Sequence, residues 1–191
     1  MTAVDERSDG EEGGPGRWSR RLSRLACSVE EFPPSGPDAD MTGPIAEFNL
    51  GWLRHDWDDP RVADFVNGLD TVNAIAARSP GFIWMTPEDE MERAQLSPDG
   101  PFGGDDRVAS TLSVWRSVAD LRHFVTNTLH AAYMKRGGEW LHSSDTPRFV
   151  MWPVAAEARP NVAEGLERLQ SLTKHGPGPD AFDWQWAKDN V

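Results

Sequence analysis

The chain has 191 residues, room for one domain or one domain with a tail, and carries 31 acidic against 19 basic side chains, net −12. Such a balance argues against nucleic acid or an anionic membrane as a partner, and no apolar run approaches the roughly 18 residues of a membrane span. Cys27 is the single cysteine, which excludes an intrachain disulfide and a cysteine zinc cage. With no apolar signal-peptide core at the N-terminus, the expectation is a soluble, cytoplasmic protein.

Residues 1–40 hold nine acids and five bases among Gly, Pro and Ser, with few apolar side chains. A segment of this kind buries too little surface to offset its ordering entropy, so it reads as a disordered tail. Arg17, Arg20, Arg21 and Arg24 would share one face of a short helix there. Met41, ahead of TGPIAEFNL, would make a natural start, and residues 41–191 read as a single domain.

Ile45–Leu53 alternates, with Ala46, Phe48, Leu50 and Trp52 on one side and Glu47, Asn49 and Gly51 on the other, which predicts a strand. Asp59-Pro60 predicts a helix start, and Val62, Phe65, Val66, Leu69, Val72 and Ile75 give that helix its apolar stripe. Ser79-Pro80-Gly81 stops it. Phe82–Met85 reads as a second strand, Pro87–Asp106 as a long loop that would serve as a lid, and Val108–Trp115 as a third strand.

Ser117 and Asp120 resemble a capping box opening a helix to about Asn127, and a further helical stretch runs from about Leu129 to Leu141. Arg148–Val154 reads as a strand, at a sheet edge because Pro153 cannot donate to a ladder. Asn161 and Glu164 cap a helix ending on Gly176, and FDWQW at 182–186 reads as a closing strand. The opening order matches a ferredoxin-like, split βαβ sheet with helices on one face. The strands carry Phe48, Trp52, Leu112, Val114, Trp115, Met151 and Trp152 on both parities. A greasy sheet face left uncovered would then need a partner, which predicts a homodimer through the sheet.

DDPRVADFVNGLDTVNAIAARSPGFIW, TLSVWRSVADLRHFV, the His130–Trp140 stretch, FVMWPV and RLQSLTKHGPGPDAFDW together resemble a bacterial family, the domain of unknown function numbered thirty-two ninety-one. The resemblance covers about residues 45–187. It implies a dimeric α+β barrel, in a superfamily that includes cofactor-independent antibiotic-biosynthesis monooxygenases, polyketide cyclases and isomerases, and haem enzymes. The family brings no reaction of its own.

GxGxxG after a strand, GxxxxGK[ST], HExxH and GxSxG are all missing, so nucleotide and zincin chemistry lack their usual frames. Glu88, Asp89, Glu90 and Glu92 lack the ligand spacing of a calcium loop and read as solvated. His123 and His130 share a side of a continuous helix, roughly 120–140° from its apolar stripe; a break at Thr126–Thr128 would reset that phase. His130 would then be a general base, an axial haem ligand or a residue bonded at the helix junction. His55 reads as a loop residue, and His142 and His175 lie at helix ends.

Asn73 falls within the apolar stripe of its helix, so its amide would meet a substrate oxygen or a neighbouring carbonyl. Nine tryptophans against one tyrosine suggest aromatic pocket walls as well as core and interface fill. The expectation is a small-molecule enzyme on a hydrophobic aromatic or polyketide-like substrate in bacterial secondary metabolism. It would carry out cofactor-independent oxygenation, cyclisation or isomerisation. His130 would be the acid/base, Asn73 and Asn49 would bind oxygen, and Trp84, Trp115, Tyr133 and Trp140 would line the site. The alternatives are a haem protein ligated by His130 and a non-catalytic metabolite-binding module.

Overall fold

A computed structural model of the chain describes residues 43–191. The expectations placed on residues 1–40, on Cys27 and on Met41 lie outside the described residues. Four strands, β1 (Ile45–Trp52), β2 (Phe82–Met85), β3 (Val108–Trp115) and β4 (Phe149–Pro153), form one sheet in the order β2-β3-β1-β4. All neighbours run antiparallel. A helix between β1 and β2 and helices between β3 and β4 complete the ferredoxin-like α+β pattern. β4 lies at the edge, where Pro153 is tolerated.

The helices are α1 (Ala63–Arg78), α2 (Glu88–Leu96), α3 (Val118–Asn127), α4 (His130–Trp140), α5 (Val162–His175) and α6 (Trp184–Asn190). Ser117 accepts the Asp120 N–H at 3.1 Å and Asn161 the Glu164 N–H at 3.0 Å, so both foreseen caps form. α3 ends at Asn127 and α4 begins at His130, the break that resets the phase between His123 and His130.

Three local expectations are corrected. α1 starts at Ala63, after Val62, while Asp59 spends its carboxylate on the Arg61 backbone and guanidinium in the preceding turn. The stretch read as a loop contains α2, opened by Glu88, Asp89 and Glu90 at its positive end and braced by Arg93–Asp89 at 2.8 Å. Residues 184–186 are helical because Asp183 caps the turn by accepting the Trp186 N–H at 2.9 Å. Phe182 alone pairs with the sheet, as a bridge to Met151.

Helices cover both sheet faces, not one. Ile45, Trp115 and Met151 on the first face pack with Ala76 of α1, Val118, Leu121 and Phe124 of α3 and Ala187 of α6. Ala46, Phe48, Leu50, Leu112, Val114, Val150 and Trp152 on the second face pack with Val162, Leu166, Leu169 and Leu172 of α5, and with Met91 of α2 and Phe102. Each of those four α5 side chains contributes about 1.5–3 kcal/mol by burial. Gly165 lets the helix come close, since a Cβ there would stand 2.7 Å from Phe48 Cγ. α5 thus packs, within the chain, on the face through which a sheet-to-sheet homodimer is expected. A third cluster of Leu53, Val62 and Trp140, with Phe65 and Tyr133 against it, joins α1 to α4.

Candidate functional site

On the first face, β1 and β3 bring polar residues into a single row. Glu47 is the cross-strand partner of Ser113, and Asn49 of Thr111. Same-face side chains of such pairs stand about 4.5–5.5 Å apart at Cβ, within reach of a hydrogen bond. Ser113 Oγ donates to Glu47 Oε2 at 3.0 Å and accepts from Trp115 Nε1 at 2.9 Å. Asn49 Nδ2 donates to Glu47 Oε1 at 2.6 Å and to Thr111 Oγ1 at 2.7 Å.

Glu47 is 4% exposed, and among the described residues no Lys, Arg or His forms an ion pair with it. An unpaired carboxylate in such a place costs several kcal/mol of lost solvation. Burial therefore pushes its pKa up to about 7, against the opposing pull of the Asn49 and Ser113 hydrogen bonds. The group sits poised between its acid and base forms near neutral pH, the condition for exchanging a proton in either direction. The row is buried at Ser113 and Trp115 and half-buried at Asn49 and Thr111.

Of the residues singled out from sequence, Asn49 and Trp115 belong to this row. Asn73 is half-buried on α1, and its amide makes no hydrogen bond among the described residues. His130 opens α4, half-buried, with Nδ1 at 3.4 Å from the Val125 carbonyl and its ring 4.9 Å from that of Phe124. Phe124 in turn stacks on Trp115 at 5.2 Å, which links His130 to the row through two aromatic rings. Burial lowers the His130 pKa, partly offset by the Val125 carbonyl.

Other candidates lie elsewhere. Trp84 packs on the second face, under the Arg159 guanidinium at 5.6 Å. Tyr133 and Trp140, 5.7 Å apart, belong to the α1–α4 cluster, with the Tyr133 hydroxyl against Gly68. The proposed lid is a packed element, since Met91 Sδ takes a hydrogen bond from Ser110 Oγ at 3.0 Å on the second face. These tryptophans and Tyr133 therefore do not form one wall with Asn49.

For haem, His130 would have to use Nε2, because Nδ1 faces Val125. Its ring and polar contacts with Phe124, Val125 and Thr128 supply no second function for a porphyrin. No group of three or more His, Cys, Asp or Glu able to hold a metal occurs among the described residues. No helix among them is long and apolar enough to cross a membrane.

Sequence reasoning passed over Glu47. Its signal was present in the alternation of β1, where Glu47 and Asn49 share a parity, and of β3, where Thr111 and Ser113 do. Alternation alone does not reveal which parity lies under helices.

A family model described as a domain of unknown function, DUF3291, matches residues 44–190. No curated protein matches. Among solved structures, the chain is similar to SnoaB, a cofactor-independent oxygenase from Streptomyces nogalater, at 15% identity and a TM-score of 0.39, over 63% of this chain and 97% of that one. It is similar to NE2512, a protein of unknown function from Nitrosomonas europaea, at 14% identity and a TM-score of 0.41, over 63% and 98%.

Proposed function

Since this chain belongs to the DUF3291 family, whose description carries no activity, we propose a function from its own geometry: a small-molecule enzyme in which Glu47 carries the proton. The observation behind this reading is a carboxyl group under the helices, without a cation and poised near pH 7. Structural carboxylates are usually paired or exposed, and a perturbed, unpaired one is a functional-site candidate.

The substrate class is hydrophobic and aromatic or polyketide-like, in keeping with the rings of Trp115, Phe124 and Phe82 beside the row. Oxygenation without an organic cofactor, cyclisation and isomerisation share a first step, loss of a proton from an activated C–H or a phenol. Glu47 takes that proton. In cyclisation or isomerisation it returns the proton to a second atom; in oxygenation the electron-rich substrate anion itself reduces dioxygen. Asn49 orients the carboxyl, its two amide protons taken by Glu47 and Thr111, and Asn73 offers N–H donors to a substrate oxygen. His130 stays neutral at pH 7 and is the second base of this reading. The site lies within one copy, and a homodimer would form on a surface other than the α5-covered face. Bacterial secondary metabolism is the setting this chemistry suits.

The test is turnover of a panel of polycyclic phenols and aromatic ketones in air, followed by mass spectrometry, for the wild type, Glu47→Gln and Glu47→Asp. The expected result is a product from at least one compound, with Glu47→Gln slower by about 10²–10⁴-fold and still folded. A folded Glu47→Gln that keeps the full rate would overturn the assignment.

A further inference from the structure

Against a net charge of −12, one end of the sheet gathers five basic residues. Arg54 and His55 follow β1, Arg107 precedes β3, Arg148 precedes β4, and His142 lies between α4 and β4. Backbone bonds pin them together: Leu53 N–H donates to the Arg107 carbonyl at 2.9 Å, Leu50 N–H to that of Arg148 at 2.9 Å, and His142 N–H to that of Trp52 at 2.9 Å. Arg54 N–H donates to the Trp140 carbonyl at 2.8 Å, and its Nε to the Leu141 carbonyl at 3.0 Å. That last bond fixes the guanidinium while leaving its two terminal nitrogens available.

No acid forms an ion pair with Arg54, Arg107 or Arg148 among the described residues. Asp56, Asp58, Asp106 and Asp145 lie close to these arginines in sequence yet form no ion pair with them among the described residues, while Asp59 pairs with Arg61 at 2.6 Å and Asp105 accepts the Arg107 backbone N–H at 3.1 Å. Arg148 lies over the Trp52 ring at 5.7 Å, and its Nε is buried with no hydrogen-bond acceptor. A buried donor left without an acceptor costs about 1–3 kcal/mol, more when charged.

We propose that this end of the sheet binds a small, multiply charged anion, a phosphoryl or carboxylate group, held by Arg54, Arg107 and Arg148 with His142 at its side. An anion in that position pairs with the terminal guanidinium nitrogens and relieves the repulsion among the three arginines. A guanidinium offers two parallel N–H donors, which match the oxygens of a phosphate or carboxylate. Independent support comes from His142, whose pKa is lowered first by burial and then by Arg54, Arg107, Arg148 and His55 around it. The site is separate from the Glu47 row and stands whether or not Glu47 is catalytic.

Pyrophosphate and succinate, each titrated into the full-length protein at constant ionic strength, separate phosphoryl from carboxylate ligands. The readouts are calorimetry and the His142 ring resonances. The expected result is saturable binding of at least one of them with an upward shift of the His142 pKa. Arg148→Gln and Arg54→Gln should each weaken binding about tenfold or more, and Arg93→Gln, on α2, should leave it unchanged. Arg54 is exposed, so its variant decides the matter if Arg148→Gln fails to fold. The proposal is overturned if neither anion binds saturably, or if Arg54→Gln binds as tightly as the wild type.

Discussion

Glu47 and Ser113 face each other across β1 and β3, and the Ser113 hydroxyl reaches Glu47 Oε2 at 3.0 Å. That hydroxyl also receives the Trp115 indole N–H, so its single proton is committed to the carboxylate. The other oxygen takes one of the two Asn49 protons, and Thr111 the second. The donors of Ser113, Asn49 and Trp115 are all assigned, and the row still fails to hold Glu47 at its ordinary acidity. Desolvation outweighs two hydrogen bonds.

This balance predicts a pH-dependent stability. The folded pKa of Glu47, about 7, lies above its ordinary 4.5. Between those values the unfolded chain has released a proton that the folded chain keeps, so stability is fully present below about pH 4.5 and falls as pH rises through 7. The loss amounts to roughly 3 kcal/mol, levelling off above the folded pKa. Urea unfolding of the wild type and Glu47→Gln across this range measures it, with the slope expected only in the wild type. Equal slopes in both would place the proton on another group.

His130 predicts the opposite sign. Burial lowers its folded pKa below the ordinary 6.5, so its contribution is intact above 6.5 and is lost as pH falls through the folded pKa. The ring C–H resonances of His130 should titrate below 6.5, while His130→Asn should remove that transition and flatten the acid side of the stability curve. A His130 resonance that titrates above 6.5 would contradict its burial against Phe124.

Much of the fold was legible because its signals are local. Ser117 and Asn161 are caps that bond residues three positions on, and Ser79-Pro80-Gly81 ends a helix whatever surrounds it. The misread segments are those where a local pattern met a stronger neighbour. Trp184-Gln185-Trp186 alternates like a strand, yet the Asp183 carboxylate sits where a helix cap is needed and the chain turns there. α2 buries only Met91 within its own span, too thin a stripe to stand out against the Pro and Gly around it. The candidate site was half legible. Asn49 and Trp115 were singled out, but Glu47 passed as the polar side of a half-exposed strand, because burial of that side depends on helices far along the chain. The five basic residues at the sheet end come from four separate segments, so no spacing rule joins them.

The cover on the second face can be tested through its glycine. Gly165 lies where a Cβ would come within 2.7 Å of Phe48 Cγ and 3.1 Å of Phe48 Cβ, a core side chain with 0% exposure. Gly165→Ala must push α5 off the sheet or turn the phenyl ring, at a cost of about 1–3 kcal/mol. Gly138, in α4, has nothing within 4 Å of its would-be Cβ and no positive φ, so Gly138→Ala should instead stabilise by about 0.5–1 kcal/mol through helix propensity. Urea midpoints at one pH compare the two directly, each against the wild type. If α5 rests on Phe48, the midpoints move in opposite directions. If Gly165→Ala is neutral while Gly138→Ala stabilises, the helix does not sit on the sheet, and the second face becomes free to meet another copy of the chain.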